Sequence, residues 1–246
     1  MQFDRTILDR ADAHATERIN GTLPNGKPFE AFLLRMDRAR TRLTVAHGGH
    51  PRTVSQFTTS ADAFAGVNGG FYVTKTGSPL DWLEIDRRTV SEMSLKERPC
   101  LFLRPESAAI GFPHERADAP TVLQAGPQIL RGGEILTDYA HFSETAYQFD
   151  GDITKGRAPR TVFGIGKSRY FFLVVDGRSS ISAGLRLEEC AELGQALGIR
   201  DAINLDGGGS SALVVRSRLL NNPRASAKQR VPAERAIPAA LLAFLG

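Results

Sequence analysis

The sequence predicts an α+β protein, α/β-like in its C-terminal half, with a mixed β-sheet core and flanking helices. Three observations carry this expectation. Short alternating or wholly apolar runs recur along the chain, bounded by glycine, proline and asparagine, which is the pattern of strands and turns. Leu187, Cys190, Ala191, Gly194 and Leu197 repeat at helical spacing. Residues 170–205 read as strand, helix, strand, a unit that in one sheet forms a right-handed crossover with parallel strands.

Taken in order, residues 8–20 read as a short polar helix or an ordered arm, followed by turn residues at 21–26. Residues 1–27 are therefore expected to be an N-terminal arm or helix, and 28–246 a single domain. Segments 29–36 and 42–46 alternate apolar and polar residues around 37–40, as a hairpin would. The apolar run 61–67 leads into Asn68-Gly69-Gly70, which permits positive φ. Further strands are expected at 101–104, 121–125 and 129–136, the last broken at Gly132-Gly133. Residues 140–160 read as a long loop, a length that in compact domains often serves function.

Segments 161–166 and 170–175 read as two strands joined at Lys167-Ser168. The second is nearly all apolar, so it should be buried on both faces. The helix that follows should end at Gly198, a good residue just past a helix terminus, with Glu188 and Glu189 in its first turn, where negative charge suits the dipole. Segments 202–205 and 212–216 complete the strands.

The composition excludes some classes of function. With 246 residues, 41% of them hydrophobic, the chain has material for one large core or two small ones. The formal net charge is +4, but Lys and Arg alternate with Asp and Glu without a long run, so nucleic-acid binding is not indicated. The first 20 residues carry charges throughout and lack a stretch of about 7–15 apolar residues. A soluble protein without membrane insertion, cytoplasmic by default, is expected. Nothing in the sequence indicates an oligomeric state. Cys100 and Cys190 are far apart, without the spacing of a zinc site, and read as core thiols. The histidines, His47 and His50 included, read as loop residues and form no metal motif.

The crossover has a geometric consequence. Asp176 follows its first strand and Asp206 its second, so both carboxylates should emerge at one sheet edge, where open α/β sheets bind ligands. Around Asp206 runs INLDGGGSSALVV, residues 203–215. Gly207, Gly208 and Gly209 let the backbone approach a ligand, and their N–H groups, with Ser210 beside them, suit an anion. A tight strand-to-strand turn accounts for the same residues equally well. DGRSS at 176–180 adds Arg178, and NGGFY at 68–72 offers the Asn68 amide and the N–H groups of Gly69 and Gly70. RAPRT at 157–161 offers Arg157 and Arg160 as phosphate clamps or as a solvated pair. Glu189 is a candidate acid, although a glutamate there more often only complements the helix dipole.

In order, NGGFY, AGPQILRGG, RAPRTVFGIG, the run from DGR to INLDGGGSS, and NNP…ERAIPAAL resemble the phosphodiester glycosidase family over roughly residues 60–245. One such motif is common; five in order are specific. The resemblance implies hydrolysis of the glycosidic bond of a sugar-1-phosphodiester, such as one of N-acetylglucosamine, to free sugar and a phosphomonoester. It places polar site residues at Asn68, Gly69, Arg160, Thr161, Asp176, Glu189, Asn204, Asp206, Gly207 to Ser210, and Arg235. Arg186 stands where the family often has Ser or Thr at the helix start.

On this reading Asp206 is the nucleophile or water-activating base, with Asp176 or Glu189 as its acid/base partner. Arg160, Arg178, Arg235 and the glycine-loop amides hold the phosphate. No cofactor is required. The partner is a small-molecule or oligosaccharide phosphodiester. The alternatives are a metal-dependent phosphodiesterase, with Asp176 and Asp206 on Mg²⁺ or Ca²⁺ and water attacking phosphorus, and a non-catalytic carbohydrate-binding or cell-envelope module.

Overall fold

The computed structural model describes residues 1–93, 98–115, 118–137 and 155–246. Its largest sheet has eight strands in the order β1 (Gln2–Ala11), β2 (His14–Thr22), β3 (Pro28–Asp37), β16 (Arg169–Val175), β15 (Arg160–Ile165), β17 (Asp201–Asn204), β13 (Gln128–Arg131) and β14 (Glu134–Ile135). A second, five-stranded sheet runs β19 (Arg218–Leu219), β18 (Leu213–Val215), β5 (Ala65–Asn68), β20 (Ile237–Leu245) and β4 (Thr41–Arg52). The third, also five-stranded, runs β11 (Ser107–Gly111), β10 (Cys100–Arg104), β12 (Thr121–Gln124), β8 (Leu83–Ile85) and β9 (Arg88–Ser91). A small hairpin, β6 (Tyr72–Val73) with β7 (Ser78–Pro79), stands apart. The α-helices among the described residues are α1 (Val54–Ser60) and α2 (Leu187–Ala196).

Side-chain alternation builds the layers. From the large sheet, Phe32, Leu34, Phe172 and Val174 face inward. They meet Val45, Val67 and Leu241 of the second sheet and Leu101 and Leu123 of the third in one central core. The intervening residues, among them Leu33, Phe171 and Leu173, face the other way and are covered by Leu187, Cys190, Ala191 and Leu193 of α2. Val54 and Phe57 of α1 cover the outer face of the second sheet. No helix among the described residues is long and apolar enough to cross a membrane.

This architecture corrects the expected α+β class. The molecule is predominantly β, and its strands pair antiparallel throughout the described residues. The strand–helix–strand unit is present in the chain, but β15 lies between β16 and β17 and is antiparallel to both. An apolar strand buried on both faces reads the same in a parallel sheet and in an antiparallel one covered on both sides, and that ambiguity produced the error. Residues 8–20 are not helical; they belong to the β1–β2 hairpin, whose second strand pairs with β3. The hairpin expected around 37–40 is absent too. Arg38–Arg40 form a single 3₁₀ turn that carries the chain between sheets, with β3 bonded to β2 and β16 and β4 to β20. Alternation fixes which face of a strand is buried but does not choose its neighbour. His47 and His50 lie within β4 rather than in a loop. Of the loop expected at 140–160, residues 140–154 lie outside the described residues.

The site expectation survives the change of class. Two antiparallel steps restore direction, so β16 and β17 end at the same edge of the large sheet. Arg160 opposite Val175 and Val162 opposite Asn204 set the register. The backbones of Asp176 and Asp206 thus stand about 10 Å apart, two strand spacings.

Candidate active site

Asp206 leaves the end of β17 half-buried, with Oδ1 accepting the Gly207 N–H at 2.9 Å. Burial among protein atoms pushes its carboxyl up to about 6, while the Ser210 hydroxyl, the Gly207 N–H and the Arg235 charge pull in the opposite direction. Such a group changes charge close to neutral pH, as an acid or base in catalysis must.

In the glycine loop, the N–H groups of Gly207 and Gly208 are taken up within the protein. The N–H of Gly207 goes to Asp206, that of Gly208 to Pro159 O at 2.9 Å, and those of Ser210 and Ser211 to the carbonyls of Gly207 and Gly208. What the loop provides is close access for two guanidinium groups. A Cβ on Gly208 would lie 3.2 Å from Arg178 Nη2, and one on Gly209 would lie 2.7 Å from Arg235 Nη2. Gly208 also has φ of +60°, a second reason for glycine. Arg178, itself at φ +59°, is held by donating Nη1 to Ala225 O at 2.5 Å and to Arg224 O at 3.3 Å. Arg235 makes no hydrogen bond or ion pair among the described residues, so its charge is available to a ligand anion beside Asp206.

Asp176 is placed differently. It is buried, and its carboxylate accepts Asn221 Nδ2 at 3.0 Å, the Asn222 N–H at 3.0 Å and Asn222 Nδ2 at 3.1 Å. Burial raises its pKa, against the pull of those amides, and the charge of Glu30 raises it further. Ser182 Oγ holds the backbone on either side, donating to Asp176 O at 2.6 Å and accepting the Glu30 N–H at 3.0 Å. Asp176 therefore anchors the Asn221-Asn222 turn.

Asn68 is fully buried behind Asp206. Its Nδ2 donates to Asp206 O at 2.5 Å, and its Oδ1 accepts Thr161 Oγ1 at 2.7 Å and the Ala212 N–H at 3.3 Å. Gly69 O accepts the Asp206 N–H at 3.1 Å, and a Cβ on Gly69 would lie 2.8 Å from Ala239 O. Asn68, Gly69 and Thr161 thus join the second sheet to the large one and fix the Asp206 backbone. A Cβ on Gly70 would meet Gln124 O at 2.7 Å, so that glycine serves close backbone packing.

The remaining candidates point into protein. Asn204 Nδ2 donates to Gly126 O at 3.0 Å and Leu205 O at 2.9 Å. Buried Arg160 donates Nε to Leu185 O at 3.0 Å and Nη2 to Gly156 O at 2.7 Å. Glu189 forms a two-pronged ion pair with Arg157, Nη2 to Oε1 at 2.5 Å and Nε to Oε2 at 3.0 Å. Its Oε2 also accepts the Arg186 N–H at 2.9 Å, which caps a helix whose Arg186 has no oxygen to offer. Burial raises the Glu189 pKa, but Arg157 and the Arg186 N–H outweigh it and hold the carboxyl below its ordinary value.

Asn221, Asn222 and Ser182, for which no role is expected from the sequence, hold Asp176 in place. The Asn-Asn-Pro triplet was the available signal: paired amides before a proline are side chains suited to holding a buried carboxylate.

The sequence model of the phosphodiester glycosidase family matches residues 61–244. No curated protein matches the chain. Among solved structures, the catalytic domain of zebrafish N-acetylglucosamine-1-phosphodiester alpha-N-acetylglucosaminidase, auto-inhibited by its pro-peptide, superposes with a TM-score of 0.77 at 18% identity, covering 100% of this chain and 89% of that one. A hypothetical protein from Synechocystis gives 0.76 at 12% identity, covering 99% and 64%. At these identities the two structures establish a shared fold.

Proposed function

Because the chain belongs to the phosphodiester glycosidase family, we propose that it hydrolyses the glycosidic bond of a sugar-1-phosphodiester, releasing free sugar and a phosphomonoester. The observation that carries the reading is one half-buried carboxyl, Asp206, with a pKa of about 6, beside a glycine loop that seats Arg178 and Arg235.

The two kinds of charge suit the two halves of the bond. Breaking the glycosidic carbon–oxygen bond develops positive charge on the sugar ring, which the Asp206 carboxylate stabilises. Negative charge gathers on the departing phosphate, which the guanidinium groups neutralise. A phosphomonoester is a good leaving group, so a second carboxyl is not needed to protonate it. On this reading Asp176 and Glu189 hold the site in place through Asn221-Asn222 and Arg157, rather than exchanging protons with substrate.

The donor set also weighs against Asp176 and Asp206 gripping a divalent cation between them. The oxygens of Asp176 face N–H donors, and a guanidinium charge acts on Asp206. Cation sites need lone pairs turned inward and no competing positive charge. EDTA should therefore leave the rate unchanged.

Turnover of a panel of α-sugar-1-phosphodiesters in H₂¹⁸O tests the proposal. The label should enter the free sugar and leave the phosphate unlabelled. Label in the phosphate would establish attack at phosphorus and overturn the reading.

A further inference from the structure

We infer that the end of the large sheet away from Asp206 carries a second site, a cavity lined by Arg10, Arg35 and Arg169 that binds a small molecule bearing two or more oxyanionic groups, phosphate or carboxylate.

The cavity holds about 420 Å³, within the usual range for small-molecule sites, about 300–1,000 Å³, and the surface it exposes is mainly polar. The strand register builds it. Arg10 of β1 pairs with Ala15 of β2, and Ala15 with Arg35 of β3, so the three share one face of the sheet in a single row. Ala15 is buried and carries only a methyl group, which leaves a gap between two long cationic side chains whose backbones stand about 10 Å apart. Arg169 lies two residues before Phe171, the partner of Arg35, and so joins the same face from β16.

The charges in this cavity are only partly compensated. The Arg10 side chain makes no hydrogen bond or ion pair among the described residues. Arg35 pairs with Glu17 and Arg169 with Asp37, the latter at 3.3 Å, yet the Arg35 Nε is buried with no partner. Glu17 is shared, since Arg5 also meets it at 2.6 Å. Asp12 lines the cavity too, one carboxylate beside three guanidinium groups. His14, 4% exposed, is a further part of the lining, and its Nδ1 lacks a partner. A guanidinium carries five N–H donors in a planar fork, so one ion pair leaves others for a ligand, and that fork matches phosphate and carboxylate alike. A cavity of this size has room for more than one such group.

The site is separate from the proposed reaction. Arg169 opens β16 and Asp176 follows its end, about 23 Å away along an extended strand. Arg10 and Arg35 also precede residue 61, where the match to the family begins.

The test is calorimetric binding of pyrophosphate, citrate and inorganic phosphate to the full chain carrying Arg235→Met, which removes the free guanidinium beside Asp206. In that background Arg10→Gln is compared with Arg88→Gln. Arg10 is exposed, so its replacement should leave the fold intact, and Arg88 is an exposed residue of β9 outside the cavity that controls for loss of one charge. The assignment requires that pyrophosphate or citrate bind more tightly than inorganic phosphate, the tighter of the two naming the oxyanion. It also requires that Arg10→Gln weaken this binding about tenfold and that Arg88→Gln leave it unchanged. Binding of neither, no preference over inorganic phosphate, undiminished affinity in Arg10→Gln, or an equal loss in Arg88→Gln would each overturn it.

Discussion

Arg235 lies so close over Gly209 that a Cβ at position 209 would come within 2.7 Å of Nη2 and 2.9 Å of the Ala225 Cα. The absence of a side chain at 209 is thus what lets a guanidinium reach the neighbourhood of Asp206. Gly209→Ala should lower kcat/KM by at least about tenfold, the scale of one displaced charge-assisted contact. Circular dichroism should show the fold retained. Wild-type kinetics in this variant would mean that Arg235 contributes nothing from its present position.

On the proposed function, Asp206, at about 6, should set an acid limb on the rate. If the carboxylate form acts, kcat/KM rises with pH and levels off above a midpoint near 6. Arg235 lowers this pKa, so Arg235→Met should move the midpoint to higher pH. Asp206→Asn should remove most turnover. A profile flat between roughly pH 4 and 8 would sink the assignment.

The same shift predicts a stability effect of opposite benefit. The folded pKa, about 6, lies above the ordinary 3.8, so the folded state holds this proton more tightly than the unfolded chain does. The resulting stabilisation is complete below about 3.8 and is lost as pH rises through about 6. The difference amounts to up to roughly 3 kcal/mol. Asp206→Asn should therefore raise Tm at pH 8, on the order of 5–10 °C, and leave it nearly unchanged at pH 4. Thermal melts at the two pH values decide this; equal effects at both would contradict it.

Asn221 Nδ2 donates to Asp176 and also to Ser211 O at 2.9 Å, linking the buried carboxylate to the end of the glycine loop. Asp176→Asn replaces an acceptor with a group that must donate toward those amides, and should cost about 1–3 kcal/mol of stability. It should also lower kcat/KM without moving the pH midpoint. A displaced midpoint would instead make Asp176 a proton-exchanging partner.

Glu189 supports α2 and Arg157. Glu189→Gln weakens both the ion pair and the cap and should cost about 1–2 kcal/mol in denaturant unfolding. Its kcat/KM should stay within about threefold of wild type. A loss of several orders of magnitude would return Glu189 to the chemistry.

The sheet edge shared by the two aspartates of the candidate site was legible in the sequence because it depends on local facts. Asp176 and Asp206 each follow an apolar run, and a shared strand direction is enough to bring them to one edge, even with β15 between them. The roles of individual residues were much less legible. Asn68 looks like a sugar-binding amide until Thr161, Ala212 and Asp206, which come from three other segments, are seen to take up its hydrogen-bonding groups.

Legible from the residues alone were the strands of the later chain, the edge at which the acids stand, and the family pattern. Each of these follows from near-neighbour chemistry: alternation, turn residues, and motifs read in order. Only long-range packing makes the sheets antiparallel, lets the residues around 38–40 join two sheets, and seats arginines over Gly208 and Gly209. These depend on which distant segment satisfies each backbone N–H and fills the space above each glycine. Residue spacing along the chain carries no record of that choice.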